Sequence, residues 1–196
     1  MESITIDLGS VINLTDEQFY QLAVSQTNGI KLEREPNGEI IVVTPRGAET
    51  SNRNIKILAQ LETWADQNEE LGLAFDCDTE FNLPNGGHRS PDAAWISRER
   101  WNALSDRERR TFPPICPDFV IELRSPSDRL KPMQAKMQEY LDSGLRLGWL
   151  INPQDKQVEI YRSSKATEVL QQPDTISGED VLPGFILRLQ KIWAIG

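Results

Sequence analysis

Glu122 and Arg124 stand two residues apart in the segment Cys116-Pro117-Asp118-Phe119-Val120-Ile121-Glu122-Leu123-Arg124-Ser125-Pro126-Ser127-Asp128. Residues 119–123 read as a short strand of the apolar types that suit a buried sheet. Side chains alternate along a strand, so Phe119, Ile121 and Leu123 share one face. Asp118, Val120, Glu122 and Arg124 share the other. An acid and a base inside such a strand are costly to bury unless paired or bound to metal. Ser125-Pro126-Ser127-Asp128 then reads as a turn and helix cap. Glu122 and Arg124 are thus expected side by side at the C-terminal end of a core strand, where sheet enzymes place catalytic groups. The plainer reading of the two is a structural ion pair.

Asp92 follows Pro91, which favours an extended backbone and suits entry to a strand over 90–97. Two carboxylates on neighbouring strands can hold one Mg²⁺, a hard ion that takes oxygen ligands and keeps several waters. A cation there stabilises charge developing on a phosphate or positions the attacking water, which is phosphodiesterase chemistry. Glu49 opens a predicted helix, where an acid is also favourable through the helix dipole alone.

Other polar residues carry lesser expectations. Asp118 is read as a neighbour supporting the acids, Tyr140 as packing against the strand, and His88 as a surface-loop residue that could touch phosphate. Asn52, Arg53 and Asn54 either meet substrate or face water. Arg107-Glu108-Arg109-Arg110 is a solvated helix face and the best local phosphate-contacting patch. Trp95, Trp101, Trp149 and Trp193 read as core or interface aromatics.

The elements that must position these groups follow from periodicity and punctuation. Thr15-Asp16-Glu17-Gln18 reads as a capping box opening a helix over 16–26, with Phe19, Leu22 and Ala23 inward. Strands over 30–35 and 39–44 flank the turn Pro36-Asn37-Gly38. A helix over 49–68 carries the stripe Ile57, Leu58, Leu61, Trp64, Ala65. Short strands are predicted over 73–75 and 79–83, and short helices over 98–104 and 105–110. After the central strand come a helix over 128–143 and a strand over 147–152. Peripheral strands over 158–161, 168–170 and 185–189 complete the chain. The order implies one parallel crossover in an otherwise antiparallel sheet: an α/β fold with a mixed β-sheet sandwiched by helices.

The 196 residues suffice for one domain, 1–196. The N-terminus is acidic, without a basic region before an apolar run, and no apolar stretch has membrane-spanning length. A cytoplasmic protein with no membrane partner is expected. Cys77 and Cys116 lack zinc spacing and read as reduced thiols. The net charge of −9 argues against a metal-free grip on nucleic acid, which a basic surface would supply.

The chain resembles the PD-(D/E)xK nuclease superfamily and, within it, the Uma-type restriction endonucleases. The resemblance runs over roughly 14–189. It is carried by residues 45–54 and 81–86, by Ser90-Pro91-Asp92-Ala93-Ala94-Trp95, by the segment 117–128, by 136–140, and by Gly148-Trp149-Leu150-Ile151-Asn152-Pro153. It implies a restriction endonuclease-like core with an N-terminal helix and hairpin. It also implies a Mg²⁺-dependent (or Mn²⁺-dependent) endodeoxyribonuclease acting on DNA as a homodimer. By the same resemblance Asp92 and Glu122 are the metal-binding acids, and Glu49 matches the acid of the first core helix. The superfamily lysine belongs at the position of Arg124, and arginine cannot deprotonate to activate water. Arg124 would therefore stabilise phosphate, and Lys136, near Met133 and Tyr140 on the following helix, would orient or activate water. The missing lysine and the acidic charge leave open a catalytically degenerate nucleic-acid- or protein-binding module. An RNA-directed or repair nuclease would share the same site.

Overall fold

The computed structural model describes residues 4–6, 12–26, 30–43 and 45–194. In chain order the first elements are β1 (Ile4–Ile6), α1 (Asp16–Val24), β2 (Lys31–Arg34), β3 (Ile40–Val43), α2 (Ala48–Gln67) and β4 (Gly72–Asp76). Next come β5 (Phe81–Asn82), β6 (His88–Arg89), β7 (Ala93–Ser97), α3 (Arg98–Ala103), α4 (Asp106–Arg110), β8 (Phe119–Leu123) and α5 (Leu130–Asp142). The chain closes with β9 (Leu147–Asn152), β10 (Gln157–Arg162), β11 (Lys165–Gln171), β12 (Thr175–Ser177), β13 (Ile186–Arg188) and α6 (Gln190–Trp193). Thr44, the expected end of the second hairpin strand, lies outside the described residues.

The central sheet has six strands in the order β11-β10-β9-β8-β7-β4. Among the described residues only β8 and β9 run parallel, and α5 makes the crossover between them, as the strand–helix–strand order requires. One face of β8, with Phe119, Ile121 and Leu123, packs against Ile57, Leu61, Trp64 and Ala65 of α2 and against Phe185 and Leu187. The opposite face, with Val120, packs against Met137 and Tyr140 of α5. The sheet is therefore enclosed between α2 and α5, and β10, expected at the periphery, is one of its inner strands.

A second, antiparallel sheet has the order β1-β3-β2-β6-β5. Here the structure corrects the sequence reading. The strand expected over 90–97 begins only at Ala93 and joins the central sheet, while His88 and Arg89, read as a loop, form a short strand of the second sheet. Pro91 lacks the N–H a ladder needs, so the chain leaves one sheet and enters the other across Ser90-Pro91-Asp92. Likewise, the strand expected over 79–83 shrinks to Phe81–Asn82 and pairs with β6 in the second sheet. The capping box of α1 forms as read: the Thr15 hydroxyl accepts from Gln18 N, and Gln18 Oε1 accepts from Thr15 N. α1 lays Phe19 onto Leu32 and Ile40 of the second sheet.

Candidate active site

The passage between the two sheets brings Asp92 to the acid of β8. Ala93 is in register with Ile121, so Asp92 stands across from Glu122 at the end of the ladder. Its Oδ2 accepts a 2.7 Å hydrogen bond from Leu123 N. Asp92 is 1% exposed and Glu122 4% exposed. Burial raises the Asp92 carboxyl above its usual range, although Arg46 and the Leu123 N–H oppose the rise. Burial, reinforced by Asp92 and Glu33 and opposed by Lys136, pushes Glu122 up to about 7.

Helix α5 answers this acid. Lys136 and Tyr140 are one turn apart, so both reach the same strand end. Lys136 Nζ lies 2.9 Å from Glu122 Oε1, and the Tyr140 hydroxyl donates to that same oxygen at 3.1 Å. Lys136 also donates to Glu33 Oε1 at 3.0 Å. Burial alone would lower the lysine, but Glu122 and Glu33 hold it charged, above its ordinary value.

Three residues that the sequence reading missed complete the cluster. Glu33 of β2 is buried, and its Oε1 also accepts from Ser90 N at 3.0 Å. Burial would raise Glu33, yet Lys136 and Arg89 hold it below its usual range. Arg89 is buried and pairs with Glu35 and Glu139 at 2.5 and 2.7 Å. Arg46, from the loop before α2, forms an ion pair with Asp92 Oδ1. Glu33 had a signal: Lys31 and Glu33 share one face of β2, Glu35 follows its end, and all three line one cleft. Arg46 lies in Pro45-Arg46-Gly47, where no periodicity points.

The cleft has a volume of about 1300 Å³, with Asp92, Glu122, Lys136, Arg46 and Ser125-Pro126-Ser127-Asp128 on its walls. Glu49 also lines it, but its side chain is 71% exposed and faces Arg53. Among the described residues no three His, Cys, Asp or Glu side chains are grouped to hold one ion, and the observed partner of Glu49 is Arg53.

Arg124 is not at the acids. The strand ends at Leu123, and the Arg124 guanidinium runs to the β9–β10 turn. There it meets Asn152 Oδ1 at 3.2 Å, Asp155 at 3.3 Å and the Asp128 carbonyl at 3.1 Å. Asp118 sits beyond the opposite end of β8 from Glu122 and is held by Ser97 N, Arg100 and Arg146. His88 is buried rather than on a surface loop, with its ring 4.6 Å from that of Phe19. Asn54 is buried, Arg53 donates to the Ile192 carbonyl, and neither lines the cleft. In α4, Arg107 pairs with Glu17 and Arg109 donates to the carbonyls of Trp101 and Asn102. Among the described residues no helix is long and apolar enough to cross a membrane.

A family model described as Uma2, putative restriction endonuclease, matches residues 16–190. A search of curated proteins finds no match. Among solved structures, the crystal structure of a putative nuclease belonging to DUF820 from Anabaena variabilis ATCC 29413 matches with a TM-score of 0.73. The match covers 92% of this chain and 97% of that one, at 20% sequence identity, and is a likeness of fold.

Proposed function

Because this chain belongs to the Uma2 family of putative restriction endonucleases, matched over residues 16–190, we propose that it is a metal-dependent endodeoxyribonuclease. The observation that carries this reading is the buried pair Asp92 and Glu122 at the wall of a 1300 Å³ cleft, with Lys136 on Glu122. Two hard carboxylates suit Mg²⁺ or Mn²⁺, with water and substrate phosphate completing the shell. Asp92 Oδ1 already faces a positive group, Arg46, so this position accommodates a cation. A bound divalent ion would neutralise charge on the phosphate and lower the pKa of water.

The protein's own groups supply the rest. Asp92 and Glu122 hold the ion. Lys136, kept charged by Glu122 and Glu33, orients water and stabilises the phosphate rather than abstracting a proton. Water adds to phosphorus, one ester P–O bond breaks, and the leaving oxygen takes up a proton. Glu49 and Arg46 line the same cleft wall.

The test is cleavage of plasmid, linear and single-stranded DNA by wild type, Asp92→Ala and Glu122→Ala in Mg²⁺ or Mn²⁺. Metal-dependent cutting by wild type alone supports the reading. Intact DNA under every condition rejects it.

A further inference from the structure

The reaction outlined above needs no group fixed on Asp92, yet Arg46 is fixed there. Its guanidinium pairs with Asp92 Oδ1, and its side chain is 28% exposed while Asp92 is 1% exposed. The ion pair therefore joins a partly solvated arm to a buried acid. Arg46 is held in its charged form against burial by Asp92 and then Glu122, the same two acids assigned to the metal. Arg46 lies in the loop before α2, next to the N-cap Gly47, where a Cβ would meet no atom within 4 Å.

Occupancy of the Asp92 oxygens decides the rest. Arg46 holds Oδ1 and Leu123 N holds Oδ2, so both oxygens of the acid are engaged. Adding a divalent ion to Asp92 while Arg46 stays would place two cations on one buried oxygen, a like-charge contact in a poorly screened site. Removing Arg46 without replacement would leave a buried carboxylate unpaired. Either cation satisfies Asp92, and both together do not.

We infer that Arg46 is a displaceable counter-ion that occupies the metal position on Asp92 and must swing out before a divalent ion binds. This inference rests on the reading of Asp92 and Glu122 as a metal site. It makes Arg46 a positioning residue that sets metal affinity by competition.

The experiment is calorimetric titration of Mn²⁺ at pH 8.5, without DNA, into wild type, Arg46→Ala, Arg46→Gln and Lys31→Ala. Lys31 lines the same cleft but donates to the Cys77 carbonyl, so its loss removes a nearby charge without opening Asp92. Arg46→Ala and Arg46→Gln are expected to bind Mn²⁺ about tenfold more tightly, the factor that one charge-assisted hydrogen bond is worth. Lys31→Ala should stay within about twofold of wild type, since the Lys31 ammonium is bonded to the Cys77 carbonyl rather than to Asp92. Circular dichroism shows which Arg46 variant is folded, and the folded one decides. Unchanged affinity in that variant, or equal tightening in Lys31→Ala, overturns the inference and leaves the metal site standing. Absence of Mn²⁺ binding in every protein removes the metal site itself, and the inference with it.

Discussion

Lys136 Nζ lies 2.9 Å from Glu122 Oε1 and 3.0 Å from Glu33 Oε1, so one ammonium on α5 joins acids from two different sheets. The ammonium beside Glu122 thus comes from the crossover helix packed over β8, and not from the position two residues beyond Glu122, which Arg124 occupies.

Lys136→Met should abolish cleavage and also destabilise the fold. It leaves Glu122 and Glu33 buried without their shared cation, which costs about 3 kcal/mol or more. Adding Glu122→Gln should recover part of that loss, because contacting residues are not additive. Urea unfolding of both single variants and the double variant measures the coupling. Additive losses would mean that the pair contributes nothing beyond its separate parts.

Arg124 behaves as a structural residue on this geometry. Arg124→Ala should retain cleavage within a few-fold and lose about 1 kcal/mol of stability, the value of its hydrogen bonds to Asn152 and Asp155. Arg124→Lys should not restore activity to Lys136→Met. Turnover restored in that double variant would return the catalytic position to the strand.

Glu80 and His88 form a buried pair near the site, with Glu80 Oε1 3.6 Å from His88 Nδ1. Burial, aided by Glu33, pushes Glu80 up to about 9. Burial, aided by Arg34, pushes His88 down to about 4. Folded Glu80 thus keeps a proton that the unfolded chain releases, and its contribution to stability falls as pH rises from about 4.5 to 9. His88 acts oppositely: the unfolded chain gains a proton that the folded one refuses, so stability falls as pH drops from about 6.5 to 4. Between pH 6.5 and 9 wild type should lose stability at up to about 1.4 kcal/mol per pH unit, the value of one proton, and Glu80→Gln should lose less. Equal slopes in denaturant melts would show Glu80 ionised in the folded protein.

Much of this arrangement was legible in the residues. The alternation of Phe119, Ile121 and Leu123 against Val120 and Glu122 fixes which face of β8 meets α2 and which meets α5. The Met133, Lys136, Tyr140 spacing places the lysine at the edge of the helix stripe, from which it reaches Glu122. Arg124 shows where alternation stops being a guide. The strand ends at Leu123, and past that point the turn at Asn152 and Asp155 decides where the side chain goes.

By itself the sequence determined the local terms: helix caps, strand faces, the single parallel crossover, and two acids on adjacent strands. These depend on neighbours a few residues apart. Tertiary structure alone decided what surrounds the acids. Glu33 arrives because β2 pairs with β6, after which the chain passes to the central sheet across Ser90-Pro91-Asp92. Arg46 arrives from the loop before α2 and pairs with buried Asp92. Partners of a buried charge are chosen by desolvation and Coulomb energy across space, and neither leaves a periodic trace in the chain.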